Sequence, residues 1–350
     1  MPTDERGLLS YLKKLVAGEN LTRDEAAHAM HCVMSGEATE AQIAGLLVAL
    51  RVRGETAEEL AGFAQAMRQR AVKVPVGVTG VVDTCGTGGD VHDTFNISTA
   101  AAFVAAAAGV PVAKHGNRSV TSRCGSADVL EALGVPLELS PEQVGQCIDE
   151  VGIGFLFAPA LHPAMRHAAP VRRQLGLRTV FNLLGPLTNP ADARRQVLGV
   201  FAPEWVRPVA EALLELGTTH AMVVHGLDGL DELSIVGPTV VAEVRDGGVR
   251  EYTLVAEDLG LPRCRVEDIA GGDPEQSAAM LLEVLCGAKG ARSDIVALNA
   301  AAAVYVGGRA ADLREGLAVA RQVLESGAAM AVLEKFRRVA TELAAQGRQA

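Results

Sequence analysis

The chain has 350 residues, 49% hydrophobic and 21% charged, which is long enough for two packed domains. Its 42 acidic residues outnumber the 32 lysines and arginines, for a formal charge of −10. That balance excludes the broad basic footprint of a nucleic-acid-binding protein, yet leaves room for a locally basic pocket.

The first ten residues include acids and no apolar segment, so no signal peptide is expected. The next sixty or so read as helix. Thr22-Arg-Asp-Glu25, Thr39-Glu-Ala-Gln42 and Thr56-Ala-Glu-Glu59 each have the form of a capping box ahead of an apolar periodic run. Gly36 and Gly54 stand where helices stop. His28, His31 and Cys32 share one helix face, but no carboxylate or second cysteine completes a metal set, so they read as packing or interface residues.

From about Val74 the pattern changes. Strand-like runs at Val81-Val82, Val110–Val112, Ile153–Phe157, Val197–Phe201 and Ala221–Val224 alternate with helical stretches, among them one opened by Ser140-Pro-Glu-Gln143. Such alternation predicts a largely parallel sheet covered by helices. The apolar stretch 100–113 is alanine-rich, holds Gly109 and Pro111, and falls short of the ~20 residues of a membrane span. It reads as a buried helix followed by a strand, so no membrane partner is expected. Val240–Leu254, around Asp246-Gly247-Gly248, reads as a hairpin. The last seventy-odd residues are helical again. Residues 163–185 are expected to be helical and to pack back on the N-terminal bundle. The predicted class is α/β: a small N-terminal helical bundle domain (1–73, joined by about 163–185) and a larger domain (74–350) with a mainly parallel sheet flanked by helices. The six cysteines form no CxxC pair, which predicts free thiols in a reducing cytoplasm.

Three loops carry chemistry. Gly86-Thr-Gly-Gly-Asp90 follows a strand and precedes a helix. It lacks the lysine of a Walker loop, and Val91 takes the last glycine of a dinucleotide loop. What remains is a tight turn that lets backbone N–H groups reach an anion at a positive helix end, suited to phosphate or pyrophosphate. Asn96, Ser98 and Thr99 add polar groups at the helix start. Alone, such a loop is equally well a structural turn. The next strand, however, runs into Lys114-His-Gly-Asn-Arg-Ser119 and on to Arg123, with cations at Lys114, Arg118 and Arg123. Two consecutive strand ends with anion-friendly loops lie on one carboxyl edge of a parallel sheet, where such sheets bind ligands. The third loop, after His225, carries Asp228, Asp231 and Glu232, oxygen donors suited to Mg²⁺ bridging to phosphate. Arg172 and Arg173 offer planar forks to a carboxylate. The turn-rich Asn182–Pro190 shows no chemistry of its own and reads as structural.

Taken together, "GTGGD…TFNIST", "KHGNR", "GSADVLEALG", "FNLLGPLTNP" and "DGLDE", in this order and spacing, resemble the anthranilate phosphoribosyltransferase family over essentially the whole chain. The resemblance implies a fold similar to the second class of nucleoside phosphorylases. It implies phosphoribosyl pyrophosphate (PRPP) and anthranilate as substrates, Mg²⁺ as cofactor with two ions, and a homodimer through the helical domain. The implied PRPP contacts are Gly86, Gly88, Gly89, Asp90, Thr94, Asn96, Ile97, Ser98, Thr99, Lys114, His115, Gly116, Asn117, Arg118, Ser119, Val120, Thr121, Ser122 and Ser126. Ser98, Asp231 and Glu232 are implied metal ligands. Gly86, Asn117 and Arg172 are implied to hold anthranilate. Lys114, His115 and Arg172 are the implied catalytic residues, with His115 a candidate acceptor for the amine proton. Val91 and Cys124 depart from the family pattern, which commonly has Gly and Ser there. Two other readings stay open: a nucleoside phosphorylase, which would not need the Asp231-Glu232 pair, and a non-enzymatic PRPP sensor.

Overall fold

The computed structural model describes residues 7–89, 92–119 and 123–347. Four helices open the chain: α1 (Leu8–Val16), α2 (Arg23–Ser35), α3 (Glu40–Arg53) and α4 (Ala57–Arg70). All three threonine capping boxes form as the sequence predicts, with Thr22, Thr39 and Thr56 accepting from the third helical N–H and Glu25, Gln42 and Glu59 reaching back. Gly36 ends α2 in the left-handed conformation. Buried Leu46, Leu47, Leu50, Leu60 and Phe63 fill the bundle.

Strands and helices then alternate: β1 (Val82–Asp83), α5 (Ile97–Ala107), β2 (Val112–Gly116), α6 (Ser126–Ala132), α7 (Pro141–Val151) and β3 (Ile153–Phe157). Short α8 (Ala158–Leu161), α9 (Ala169–Leu175) and α10 (Phe181–Leu184) follow. The expected helical stretch 163–185 is thus broken into pieces by Pro163, Gly176 and the loop after it. Val171, Val180, Phe181, Leu183 and Leu184 join the bundle's apolar cluster. The chain continues through β4 (Arg195–Gly199), α11 (Val206–Glu215), β5 (His220–Gly226), β6 (Thr239–Arg245) and β7 (Gly248–Leu254). It finishes in α12 (Pro274–Leu285), α13 (Ala291–Val306), α14 (Leu313–Ser326) and α15 (Ala328–Gly347).

Among the described residues the strands form one sheet in the order β3-β2-β1-β4-β5-β6-β7. The first five are mutually parallel, and β6 and β7 add an antiparallel hairpin edge. Asp246 and Gly247, both at positive φ, make the tight turn between them. Alanine-rich α5 and α13 are buried almost throughout and pack closely, because small side chains let the two backbones approach. Together with α15 they anchor the main apolar cluster under the sheet. No single helix among the described residues is long and apolar enough to cross a membrane.

The strand order decides where function can sit. The parallel strands β1, β2, β4 and β5 all end on the same edge, with β4 between β1 and β5. The glycine loop after β1, the basic loop after β2 and the acidic loop after β5 therefore open onto one side of the sheet.

Candidate active site

The glycine loop and the acidic loop meet over the end of β4. Gly88, at φ +65, donates its N–H to the Asp231 carboxylate at 2.8 Å. Thr87 donates its N–H to the Gly199 carbonyl at 2.8 Å. A Cβ on Gly199 would lie 1.5 Å from the Asp231 carbonyl oxygen, so only glycine at the end of β4 lets the acidic loop come this close. A Cβ on Gly86 would likewise press on the Asp231 carboxylate at 2.9 Å. Burial raises the Asp231 pKa, partly offset by the Gly88 N–H.

The helix after the glycine loop brings in the other acid. Ser98, in the first turn of α5, donates its N–H to Glu232 at 3.2 Å. Its hydroxyl accepts from Lys114 Nζ at 3.3 Å. Lys114 is 3% exposed and also donates to the Thr84 carbonyl and hydroxyl, at 3.2 and 3.4 Å. These bonds join residues from β1, α5, β2 and the acidic loop. Behind them, Asn299 on α13 fixes the acidic loop by bonding both backbone groups of Leu233, at 3.0 and 2.9 Å. Asp228, the remaining acid of this loop, is turned inward instead, accepting from Leu230 N–H and the Ser234 hydroxyl.

The basic loop is closely built. A Cβ on Gly116 would meet the Ser126 hydroxyl at 2.3 Å. Asn117 accepts at its carbonyl from Ser126 and from Ala127 N–H. Asp128 accepts from Ser119 and Gly125 N–H, closing the loop on the start of α6. Thr94, before α5, bridges to Ala270.

Asp90, Val120, Thr121 and Ser122 fall outside the described residues, as does Val91. Ile97 and Thr99 are buried at 1% exposure, so toward a ligand they offer backbone rather than side chains. Asn96 stands at the start of α5 as expected but makes no side-chain cap; its amide bonds Cys124, donating to the carbonyl at 3.2 Å and accepting from the thiol at 3.4 Å. Arg118 is also diverted, its guanidinium paired with Asp128 at 3.0 Å and Glu131 at 2.8 Å. His115 is buried. Its ring lies against His162, 5.1 Å away between centroids, and burial pushes its pKa down to about 3. Neither ring nitrogen has a well-formed hydrogen bond among the described residues.

The Arg172 guanidinium lies over the Phe181 ring at 5.1 Å and has no hydrogen-bond or ion-pair partner among the described residues. Burial lowers its pKa, as for a guanidinium held away from water with no anion beside it. Sequence reasoning missed Arg178, which donates to the Gly89 carbonyl at 2.5 Å and stacks over Phe201 at 4.8 Å, so that it clasps the glycine loop. It also missed Asp83, Asn189 and Asn299, all buried. The one available signal was a charged residue closing the apolar Val81-Val82 run. The donor atoms of Asp83, Cys85 and His115 lie within 4.8 Å of one another. Both Asp83 oxygens already accept hydrogen bonds, so this cluster reads as structural.

The helical bundle domain of the glycosyl transferase family matches residues 9–71, and its a/b domain matches residues 78–330. An anthranilate phosphoribosyltransferase of Rubrobacter xylanophilus is 58% identical over 96% of this chain and 98% of its own length. That of Symbiobacterium thermophilum is 56% identical over 96% and 98%. Among solved structures, the Thermus thermophilus anthranilate phosphoribosyltransferase superposes with a TM-score of 0.90 at 52% identity, covering 94% of this chain and 99% of that one. The Saccharomyces cerevisiae enzyme in complex with PRPP and Mg gives 0.86 at 30% identity, over 96% and 98%. The chain belongs to the anthranilate phosphoribosyltransferase family.

Proposed function

We propose that this chain transfers the 5-phosphoribosyl group of PRPP to the amine of anthranilate, giving N-(5'-phosphoribosyl)anthranilate and pyrophosphate, a step of tryptophan biosynthesis. The observation that carries the reading is the meeting of the glycine loop, Lys114, Asp231 and Glu232 around the start of α5. Backbone N–H groups at Gly86–Gly89, the α5 N-terminus and the Lys114 ammonium supply positive potential for a diphosphate.

Mg²⁺ fits the acids. Asp231 and Glu232 are carboxylates beside the Ser98 hydroxyl, hard oxygen donors of the kind Mg²⁺ takes, and Asp231 forms no ion pair among the described residues. In this reading Ser98, Asp231 and Glu232 hold two ions, which when bound neutralise charge developing on the leaving pyrophosphate. Asp231 and Glu232 also hold the glycine loop and the start of α5 in place, accepting the Gly88 and Ser98 N–H groups.

Arg172 pins the anthranilate carboxylate, with Asn117 and Gly86 completing that subsite, so that the amine faces the ribose C1. A guanidinium set over an aromatic ring without a carboxylate partner is suited to that role. No protein nucleophile is needed: C1–O cleavage and amine attack on the opposite face proceed with inversion, and positioning supplies up to ~7–11 kcal/mol in the most favourable cases. His115, neutral in its buried setting, is the candidate acceptor for the amine proton, and its lowered pKa makes it a weak base.

The proposed homodimer uses the bundle, where Val16 and Val52 stand 74% and 82% exposed on α1 and α3. Six free cysteines accord with a cytoplasmic location. The reaction is tested by following anthranilate fluorescence in the presence of purified protein, PRPP and Mg²⁺. Loss of signal that requires both additions is expected; a constant signal would overturn the reading.

A further inference from the structure

The β1–β2 ladder stops at Val82↔Val112, although β2 runs on for four more residues to Gly116. Beyond that point β1 has turned away into the glycine loop. The edge of β2 that carries Lys114 and His115 therefore needs partners other than strand backbone, since buried N–H and C=O groups are costly to leave unpaired. Two side chains meet the need. Asp83, fully buried at the end of β1, accepts the His115 N–H at 3.1 Å on one carboxylate oxygen and an Asn189 amide N–H at 2.7 Å on the other. The Asn189 amide nitrogen also donates to the Ala113 carbonyl at 2.9 Å, and its oxygen accepts from Ala191 N–H at 2.9 Å. Nearby, Gln196 on β4 donates to the Pro186 carbonyl at 2.8 Å and so fixes the same turn from the other side.

We propose that Asp83 and Asn189 form a buried positioning pair, through which the Gly185–Pro190 turn sets the place where β2 delivers Lys114, His115 and the Gly116-Asn117 loop to the substrates. Neither residue of the pair is among those proposed to touch PRPP, anthranilate or magnesium, so both act through β2. The inference rests on the transfer reading above. A strand end displaced by even 1 Å would move Lys114 relative to Ser98 and the acids, and misplacement of that size costs about 10²-fold in rate.

The pair is built for a reciprocal test. In Asp83→Asn one amide oxygen can still accept from His115 N–H, but an NH₂ group then faces the Asn189 NH₂. In Asn189→Asp, two carboxylates face each other. In the double variant the amide at 83 donates to the carboxylate at 189 and the His115 bond is kept, while the Ala113 carbonyl stays without its donor, as in Asn189→Asp, so recovery is partial. Each single variant is expected to lose about 10²-fold in kcat, with KM for both substrates changing less than about threefold. The double variant is expected to recover at least tenfold over the worse single. Circular dichroism checks that the variants compared are folded, because a merely structural pair would lower stability and leave the kcat of folded enzyme intact. Singles within about threefold of the parent, or a double no better than the worse single, would overturn the pairing. Should a single variant fail to fold, the double must fold and turn over; an unfolded double also overturns it. An inactive parent chain in the same assay would instead sink the transfer reading, so the two failures are distinguishable.

Discussion

The starts of the bundle helices and the start of α5 solve one problem in opposite ways. In α2, α3 and α4 a threonine and a Glu or Gln within four residues satisfy the first N–H groups locally. At α5 the N-cap residue Asn96 makes no side-chain cap and bonds Cys124, and the Ser98 N–H is met by Glu232, 134 residues away in sequence. The first arrangement is complete within four residues. The second closes only through a distant acid, one of the pair proposed above to hold magnesium.

The sharpest way to break that contrast is to remove the distant acids. Asp231→Asn with Glu232→Gln should lower turnover about 10²–10³-fold at fixed PRPP, and should raise the Mg²⁺ concentration needed for half-maximal rate, with little loss of stability. An unchanged Mg²⁺ dependence in steady-state kinetics would remove both residues from the metal role.

Next in size is a test of how far site residues are held against their own preference. Burial raises the Asp83 pKa from 3.8 to about 6, so its ionised form is disfavoured in the folded chain. The stability tied to the protonated form is fully present below pH 3.8 and is lost as pH rises through about 6. Asp83→Asn cannot ionise. Its unfolding free energy relative to the parent should therefore shift in the variant's favour by on the order of 3 kcal/mol between pH 4 and pH 7. Urea titrations at the two pH values that give the same difference would contradict this.

Arg172→Ala should raise KM for anthranilate by about 30-fold, corresponding to about 2 kcal/mol for a buried charge losing its partner, while KM for PRPP changes little. Equal effects on the two substrates would make Arg172 a packing residue. The smallest effect belongs to the bundle. Thr39→Ala should cost about 1 kcal/mol of stability by thermal or urea unfolding and leave kcat untouched. A fall in kcat there would blur the distinction between the two regions.

What could be read ahead of the structure follows the same division. The capping boxes, the hairpin at Asp246-Gly247 and the strand Ile153–Phe157 were legible because their signals lie within a few residues. The convergence of three loops was legible too, since parallel strands force their carboxyl ends onto one edge. What was hidden depends on pairings across the chain. Asn189 reaches Asp83 over 106 residues, and Asn299 reaches Leu233 over 66. Arg118 shows the converse, a cation in a basic loop whose charge is taken up by Asp128 and Glu131 on the next helix. Residue type and spacing mark a group as available, whereas its tertiary neighbours decide whether it is free to meet a ligand.

In the proposed site, loops from β1, β2 and β5 build a single diphosphate cradle. A crystal structure of this chain with PRPP and Mg²⁺ is the decisive experiment. The pyrophosphate should lie between the Gly86–Gly89 backbone and Lys114, with metal between it and the Asp231-Glu232 carboxylates. A diphosphate bound away from either loop, or magnesium ligated without those acids, would contradict it.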